Sequence, residues 1–252
     1  MSNYRLEEMQ IYIMKKNKVS LEELCEKFEI SLSTLRRDLK KLASRGSIQK
    51  VYGGVECSKE RKLTPLSARI EINRLGKMKI ARKAAQFICD NDIIFIDSGS
   101  TLGEMAPFLS KNKNLTVITN NMLIINKAIC FKNLQLISLS GVYDHNTLSF
   151  VGDRVAEILK TYNISKAFMG TTGFSLSSGI TNSTPLESAV KRTAVKSASK
   201  VFLLADHFKI DVFAPYTYCD YEDIDVLITD KDIPNTFKEL FKSNNCQVEV
   251  AN

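Results

Sequence analysis

The chain opens on a helical pattern of apolar positions, with Leu6, Met9 and Ile13 recurring at three- and four-residue spacings between residues 4 and 14. A polar break over 15–19 ends that run. Ser20 stands three residues before Glu23, the S-x-x-E spacing of a capping box, and Leu21, Leu24, Cys25 and Phe28 give the helix it opens one apolar face. After a tight turn at Glu29, Ile30 and Ser31, a further helix is expected over 32–43, with Leu35, Leu39 and Leu42 as its inward stripe. Residues 46–55 alternate and carry the doublet Gly53-Gly54, which predicts a two-stranded wing. Two short helices joined by a turn, followed by such a wing, describe a winged helix-turn-helix over residues 1–57.

Residues 56–65 are polar and end at Pro65, which marks a domain boundary, and 58–78 reads as a linker leading into a helix. Arg69, Asn73 and Lys77 recur every four residues there, the spacing of one helical face. From 79 to 252 the pattern changes: strand-like runs at 93–96, 115–119, 134–139, 166–169, 201–205 and 225–229 alternate with helical stretches at 79–90, 102–111, 121–130, 152–162 and 185–199. That alternation predicts an open, largely parallel α/β sheet of Rossmann type, whose ligands bind beyond the carboxyl ends of the strands. Polar residues gather at those ends: Asp97-Ser98-Gly99-Ser100-Thr101, Asn120-Asn121, Ser140-Gly141, Gly170-Thr171-Thr172-Gly173 and Asp206-His207-Phe208-Lys209.

Composition narrows the class. The 252 residues are 44% hydrophobic, ordinary for a globular protein. No stretch approaches the ~18 continuous apolar residues of a membrane span. Met1 to Glu8 lacks an apolar signal core, so a cytoplasmic protein is expected. The six cysteines are scattered without a Cys-x-x-Cys pair, and two histidines give no zinc-ligand spacing, so reduced thiols and no structural metal are expected. Neither a G-x-x-x-x-G-K-[ST] loop nor G-x-G-x-x-G after a strand occurs, so no nucleotide cofactor is expected.

The formal charge is +7, and 14 Lys and Arg against 9 Asp and Glu lie before residue 63. Between 36 and 50 six basic residues face one acid, Asp38. Such a patch attracts a polyanion and releases its counterions, although a solvated helix face reads the same way. With the leucine stripe inward, Ser33, Thr34, Arg36, Arg37, Lys40 and Lys41 face out. Ser33, Thr34 and Arg37 are candidates for base edges, Arg36, Lys40 and Lys41 for phosphates, and Lys50 and Tyr52 for the backbone or minor groove from the wing.

Arg5-x3-Met9-x3-Ile13, followed after 17 residues by Ser31-x2-Thr34-Leu35-Arg36-Arg37-Asp38-Leu39, resembles the signature of the DeoR family of transcriptional regulators. The resemblance adds Ser31 to the DNA-binding set and extends to about residue 228. It implies a C-terminal domain similar to ribose-5-phosphate isomerase and glucosamine-6-phosphate deaminase that binds a phosphorylated sugar. By position it implies an effector set of Asp97, Ser98, Gly99, Ser100, Thr101, Asn120, Asn121, Gly141, Gly170, Gly173, Glu187 and Lys209. Glu187-x3-Lys191-Arg192 matches the family's E-x3-K-R helix, and Asp206 to Lys209 its A-D-x-x-K strand end. Glu187 with Lys191 equally fits a surface i,i+4 pair. Lys50 replaces the family's wing arginine, and Gly141 stands without the usual second glycine and nearby arginine.

The expected function is a repressor of a sugar-metabolism operon, a homodimer or homotetramer on double-stranded operator DNA, released or engaged by the bound sugar phosphate. An oligomer follows because one winged helix supplies little specific contact area. The alternative is a sugar-phosphate isomerase or deaminase with a DNA-binding head, using Asp97, Glu187, Asp206 and His207. The related isomerases carry acidic residues where Gly170-Thr171-Thr172-Gly173 stands, which argues against that chemistry.

Overall fold

Ser20 caps the first fully described helix: its Oγ accepts from Glu23 N at 3.0 Å, and α1 runs Leu21–Phe28. Only half of the expected capping box forms, because the Glu23 carboxylate instead accepts from Tyr12 Oη at 2.6 Å and lies 3.3 Å from Lys16 Nζ. Glu29 closes α1 in the left-handed region (φ 50°), its N–H bonded to Cys25 and Glu26 carbonyls, and α2 follows at Leu32–Ser44. The computed structural model describes residues 5–6, 8–9, 12–13, 16, 18–44, 48–57, 65–111 and 114–252. The expected start of the wing at Gly46 and Ser47, and residues 58–64 of the expected linker, lie outside them.

The wing has three strands where two were expected. β1 (Lys18–Ser20) pairs antiparallel with β3 (Gly54–Cys57), which pairs with β2 (Ile48–Val51). β1 escapes the pattern because it is three residues long and buries only Val19. Leu6, Met9, Ile13, Leu24, Leu35, Leu39, Leu42, Ile48 and Val55 join Val19 in one core.

The stripe expected at Arg69, Asn73 and Lys77 is not one helical face. Leu66–Glu71 forms α3, Arg74–Ala85 forms α4, and Asn73 between them is left-handed at φ 50°. The compact units divide at that break, Met1–Ile72 and Asn73–Asn252.

In the second unit period-2 patterning places successive side chains on opposite faces of one sheet. Phe95, Ala167, Met169 and Leu203 enter one core, while Ile94, Ile96, Phe168, Phe202 and Leu204 enter the other. The first five strands of this unit are β4 (Ile93–Ile96), β5 (Leu115–Thr119), β6 (Leu134–Ser138) and a hairpin of β7 (Val142–Asp144) with β8 (Ser149–Val151). After β9 (Ile164–Gly170) come β10 (Gly173–Ser175), β11 (Gly179–Asn182), β12 (Ala198–Leu204), β13 (Tyr216–Cys219), β14 (Val226–Thr229) and β15 (Gln247–Val250). The main sheet has seven strands in the order β15-β14-β12-β9-β4-β5-β6, with every pairing parallel. β10, β11 and β13 make a small antiparallel sheet.

Helices α5 (Ser100–Gly103), α6 (Met122–Ala128), α7 (Asp153–Leu159), α8 (Pro185–Ser197) and α9 (Asn235–Ser243) complete the unit. The helix expected over 102–111 is one turn of α5 and a 3-10 segment, Ala106–Lys111, so little helix dipole is available to an anion there. The chain builds β4, β5 and β6 outward in one direction, then crosses to β9 and builds outward in the other. The strand order reverses between β4 and β9, and in open α/β sheets ligands bind in the crevice at that point.

Candidate functional site

Each unit carries a candidate set. On α2 the leucines hold one side in the core and leave the other to solvent. Ser31 caps it, its Oγ accepting from Thr34 N at 3.3 Å and lying 3.0 Å from Ser33 Oγ and 3.1 Å from Thr34 Oγ1. Ser33, Arg36, Arg37, Lys40 and Lys41 are exposed and Thr34 is half-buried. Asp38 is turned inward, where both Arg5 Nε (3.1 Å) and Arg5 Nη2 (2.7 Å) donate to its Oδ2. The one acid of the basic stretch is thereby neutralised inside the fold, and the solvent face of α2 presents Ser33, Arg36, Arg37, Lys40 and Lys41, with Leu32 exposed at its start. On the wing Lys50 is exposed, and Tyr52 stands fully exposed beside Gly53, whose φ of +74° makes the tight turn.

The strand ends of the second unit bring a buried polar cluster to the β4–β9 crevice. Asp97 follows β4 and is 1% exposed; its Oδ2 accepts from Gly170 N at 2.9 Å, at the end of β9, and from Lys191 Nζ of α8. Lys191, also buried, donates to the Gly170 carbonyl at 3.0 Å, which Tyr218 Oη reaches at 2.9 Å. Burial pushes the Asp97 carboxyl above its ordinary range, although Lys191 and the Gly170 N–H pull it back. Burial likewise raises the Tyr218 phenol.

Glu187, one turn before Lys191 on α8, is buried and accepts from Ser98 Oγ (3.1 Å), Asn182 Nδ2 (3.0 Å) and Thr184 Oγ1 (3.1 Å). The surface i,i+4 reading of Glu187 and Lys191 is therefore overturned: both point into the protein, and Lys191 spends its charge on Asp97. Neither carboxylate is left as an unencumbered base.

The remaining candidates divide by what already holds them. Asn121 has both side-chain atoms committed: Oδ1 caps α6 at Leu123 N (2.9 Å), and Nδ2 donates to the carbonyls of Asp97 (3.0 Å) and Gly99 (3.3 Å). It fixes the 97–99 loop. Asn120 donates to Phe150 O at 2.9 Å, but its buried Oδ1 has no partner. Asp206, at the end of β12 and 2% exposed, likewise has Oδ1 unpartnered. Ser100 and Thr101 are buried in α5, and Gly99 (φ +122°) precedes them. A side chain at Gly170 would press within 2.9 Å of Leu102, and Gly173 is backed by Val212.

Gly141 lines a separate cleft of about 490 Å³ with Ser140, Val142, Val151, Gly152, Asp153 and Arg154. Arg154, thirteen positions on in sequence, thus shares a cleft with Gly141. Lys209 is half-buried in the 3-10 turn His207–Lys209, its N–H bonded to the Asp206 carbonyl at 2.9 Å.

Three members of these networks, Lys191, Asn182 and Tyr218, were not among the expected site residues. Lys191 was visible through the E-x3-K-R match; Asn182 and Tyr218 carried no signal, because the small sheet that places them is set by long-range pairing. Among the described residues no cluster of His, Cys, Asp and Glu suits a metal ion. No described helix is long and apolar enough to cross a membrane.

Residues 5–61 match the DeoR-like helix-turn-helix domain and 72–231 the DeoR C terminal sensor domain. The chain is 38% identical over 247 residues to the HTH-type transcriptional regulator IolR of Bacillus subtilis, covering 98% of each chain. It is 31% identical to the HTH-type transcriptional repressor GlcR of the same organism, covering 95% of this chain and 93% of that one. It is 29% identical to the L-fucose operon activator of Haemophilus influenzae, covering 94% and 95%. Among solved structures, ribose 5-phosphate isomerase from Plasmodium falciparum aligns at TM-score 0.39 and 18% identity, covering 53% of this chain and 52% of that one.

Proposed function

Because the chain belongs to the DeoR family of transcriptional regulators, we propose that it is a repressor of a sugar-metabolism operon whose operator binding is set by a phosphorylated sugar held at the strand ends of its second unit. The observation that carries the DNA half is the outward face of α2, where Arg36, Arg37, Lys40 and Lys41 are exposed with no acid among them because Arg5 holds Asp38 inside. Ser33, Thr34 and Arg37 read bases from the first turns; Ser31, Arg36, Lys40, Lys41, Lys50 and Tyr52 hold the phosphate backbone and minor groove. Two such heads, on a homodimer or homotetramer, match two half-sites.

The effector lies over the β4–β9 crevice. Asp97, Ser98 and Glu187 form its fixed floor, held by Asn121 and backed by the close-packed glycines at 170 and 173. Gly99, Ser100 and Thr101 line one side, Asn120 and Lys209 lie beyond the flanking strands β5 and β12, and Gly141 lines its own cleft beyond β6. The unpartnered Oδ1 atoms of Asn120 and Asp206 accept hydrogen bonds, which a sugar hydroxyl supplies. Lys209 supplies charge for a phosphate. Supporting a binding rather than a catalytic role, Asp97 already accepts from Gly170 N–H and Lys191, and Glu187 from Asn182 and Thr184, so each carboxylate is engaged within the protein.

A second reading concerns sign only: one relative bears the name of a repressor and another that of an activator. A promoter–reporter fusion with and without the regulator decides between them. The reading as a whole is tested by fluorescence anisotropy on DNA from the chain's own promoter region, at fixed salt, with a panel of sugar phosphates and the matching free sugars. One phosphorylated sugar should shift the DNA affinity and its free sugar should not, with the response lost in Lys209→Ala. DNA binding that no member alters would refute the effector half, and absence of binding would refute the DNA half.

A further inference from the structure

Asn73 breaks two local rules at once. It occupies the position before α4 where asparagine usually accepts from a first-turn amide, yet its side chain makes no such bond. It is also a non-glycine residue at φ 50°, at the point where the chain passes from the first compact unit into the second. What its side chain does instead is donate from Nδ2 to Asp230 Oδ2 at 2.8 Å, a contact 157 residues distant in sequence. Gly76 makes the approach sterically feasible: a Cβ there would stand 2.5 Å from Asp230 Oδ2 and 2.6 Å from the Asn73 amide.

Asp230 lies directly beyond β14, and His207 meets it through both backbone and side chain. His207 donates its backbone N–H to Oδ1 at 2.8 Å, and its Nδ1 lies 2.9 Å from Oδ2 and 3.1 Å from Oδ1. His207 sits between Asp206, with its unpartnered buried Oδ1, and Lys209, whose N–H closes back on the Asp206 carbonyl. One carboxylate therefore holds the strand-end segment 206–209 from one side and the chain's entry point from the other. Burial would raise its pKa, but the hydrogen bonds of His207 and Asn73 overcome this and hold it at about 2, so it is ionised throughout the neutral range.

We propose that Asp230 is the positioning residue that couples the strand-end segment 206–209 to the inter-unit junction at Asn73, so that occupancy of that segment is felt where the chain leaves for the DNA-reading unit. A ligand group on Asp206 or Lys209 displaces the His207 backbone, Asp230 follows its two donors, and the Asn73 bond either holds or yields. Differential binding to those two arrangements is what linkage requires of an effector. The inference rests on the effector reading above for what occupies the segment, but the tether itself does not.

The test uses the full-length chain as wild type, Asn73→Gly, Asn73→Asp and the swap Asn73→Asp with Asp230→Asn. Glycine keeps the left-handed backbone and removes the donor. Aspartate sets two carboxylates against each other, and the swap restores a donor–acceptor pair in reverse. Amide hydrogen exchange comes first and needs no ligand. Loss of one bond to Asp230 should speed exchange at His207 and Lys209 about fivefold in Asn73→Gly, and more in Asn73→Asp, with the swap returning them toward wild type. Exchange that rises only around residues 73–77, leaving 206–209 unchanged, overturns the coupling whatever the effector is.

With the panel member that shifts DNA affinity in wild type, Asn73→Gly should bind that compound within about twofold of wild type by calorimetry. Its effect on DNA affinity should fall toward none and return in the swap. A full effect in Asn73→Gly also overturns the proposal. A panel silent in wild type refutes the effector reading alone, and the exchange result still decides the tether.

Discussion

Replacing Arg5 with alanine is the sharpest single perturbation of the DNA-reading unit. The two ends of the helix-turn-helix signature meet there: Arg5 Nη2 and Nε lie 2.7 and 3.1 Å from Asp38 Oδ2, with the Arg5 side chain 31% exposed and that of Asp38 1% exposed. Removing one partner of a buried pair costs roughly 3–5 kcal/mol, because the other charge stays desolvated and alone. The partial exposure of Arg5 admits water to the vacated space and lowers this to about 2–3 kcal/mol.

The unit extends to Ile72, and at roughly 0.05–0.15 kcal/mol per residue a unit of that length holds about 4–11 kcal/mol. The variant thus loses a large share of it, and the unit should melt about 8–20 °C lower. Calorimetry of the full chain, with hydrogen exchange at the Leu35, Leu39 and Leu42 amides, reads the loss in this unit separately from the second. Replacing both members, Arg5→Met with Asp38→Leu, should recover most of the stability, because no buried charge is then left unpaired. Melting and exchange of Arg5→Ala indistinguishable from wild type would refute the reasoning.

On promoter DNA, Lys40→Ala should weaken binding to all sequences alike and lower the slope of log K against log salt by about 1, whereas Arg37→Ala should cost about 1–3 kcal/mol and relax preference at one base position. An unchanged slope in the first, or undiminished discrimination in the second, would exclude those roles. Lys191→Met strands the Asp97 carboxyl, buried at 1% exposure, and should destabilise the second unit by roughly 3–5 kcal/mol in urea unfolding. Because burial raises the Asp97 pKa, ionising it opposes folding, so that deficit should be larger at pH 8 than at pH 5; a pH-independent deficit would contradict the assignment.

Asp230 runs the other way. Its folded pKa of about 2 lies below the unfolded value near 4, so its contribution, about 1–2 kcal/mol after allowance for partial solvation, is complete above pH 4 and lost as pH falls to 2. The stability difference between wild type and Asp230→Asn should shrink over that window, and a constant difference would refute it.

How much of this was legible beforehand depended on whether the signal was local. The leucine stripe of α2, the turn at Glu29 and the alternating runs of β4, β5 and β9 are each set by neighbours in sequence, and they appear where the pattern puts them. β1 was too short for periodicity, and the break at Asn73 is set by Asp230, far away in the chain. α4 accordingly begins at Arg74 and not at 79. The small sheet of β10, β11 and β13, the strand β15 and α9 gave too little pattern to be read.

At the strand ends residue types were legible but orientations were not. Asp97 and Glu187 look like ligand contacts in sequence, yet they turn inward to Lys191, Ser98 and Asn182, while Asn120 and Asp206 keep unpartnered oxygens. The inward turn follows from long-range contacts of α8, where Lys191 reaches Asp97 and the Gly170 carbonyl and Glu187 reaches Ser98 and Asn182, and no local spacing encodes these.

One small phosphorylated ligand and operator DNA are linked, on this proposal, through conformations of the same chain. The most direct measurement is the closed thermodynamic cycle: affinity for promoter DNA with and without the sugar phosphate, and affinity for the sugar phosphate with and without DNA, all at one salt concentration. The two ratios should be equal and differ from one by about 5- to 150-fold. A sugar phosphate that binds with the same affinity whether or not DNA is present would contradict this linkage.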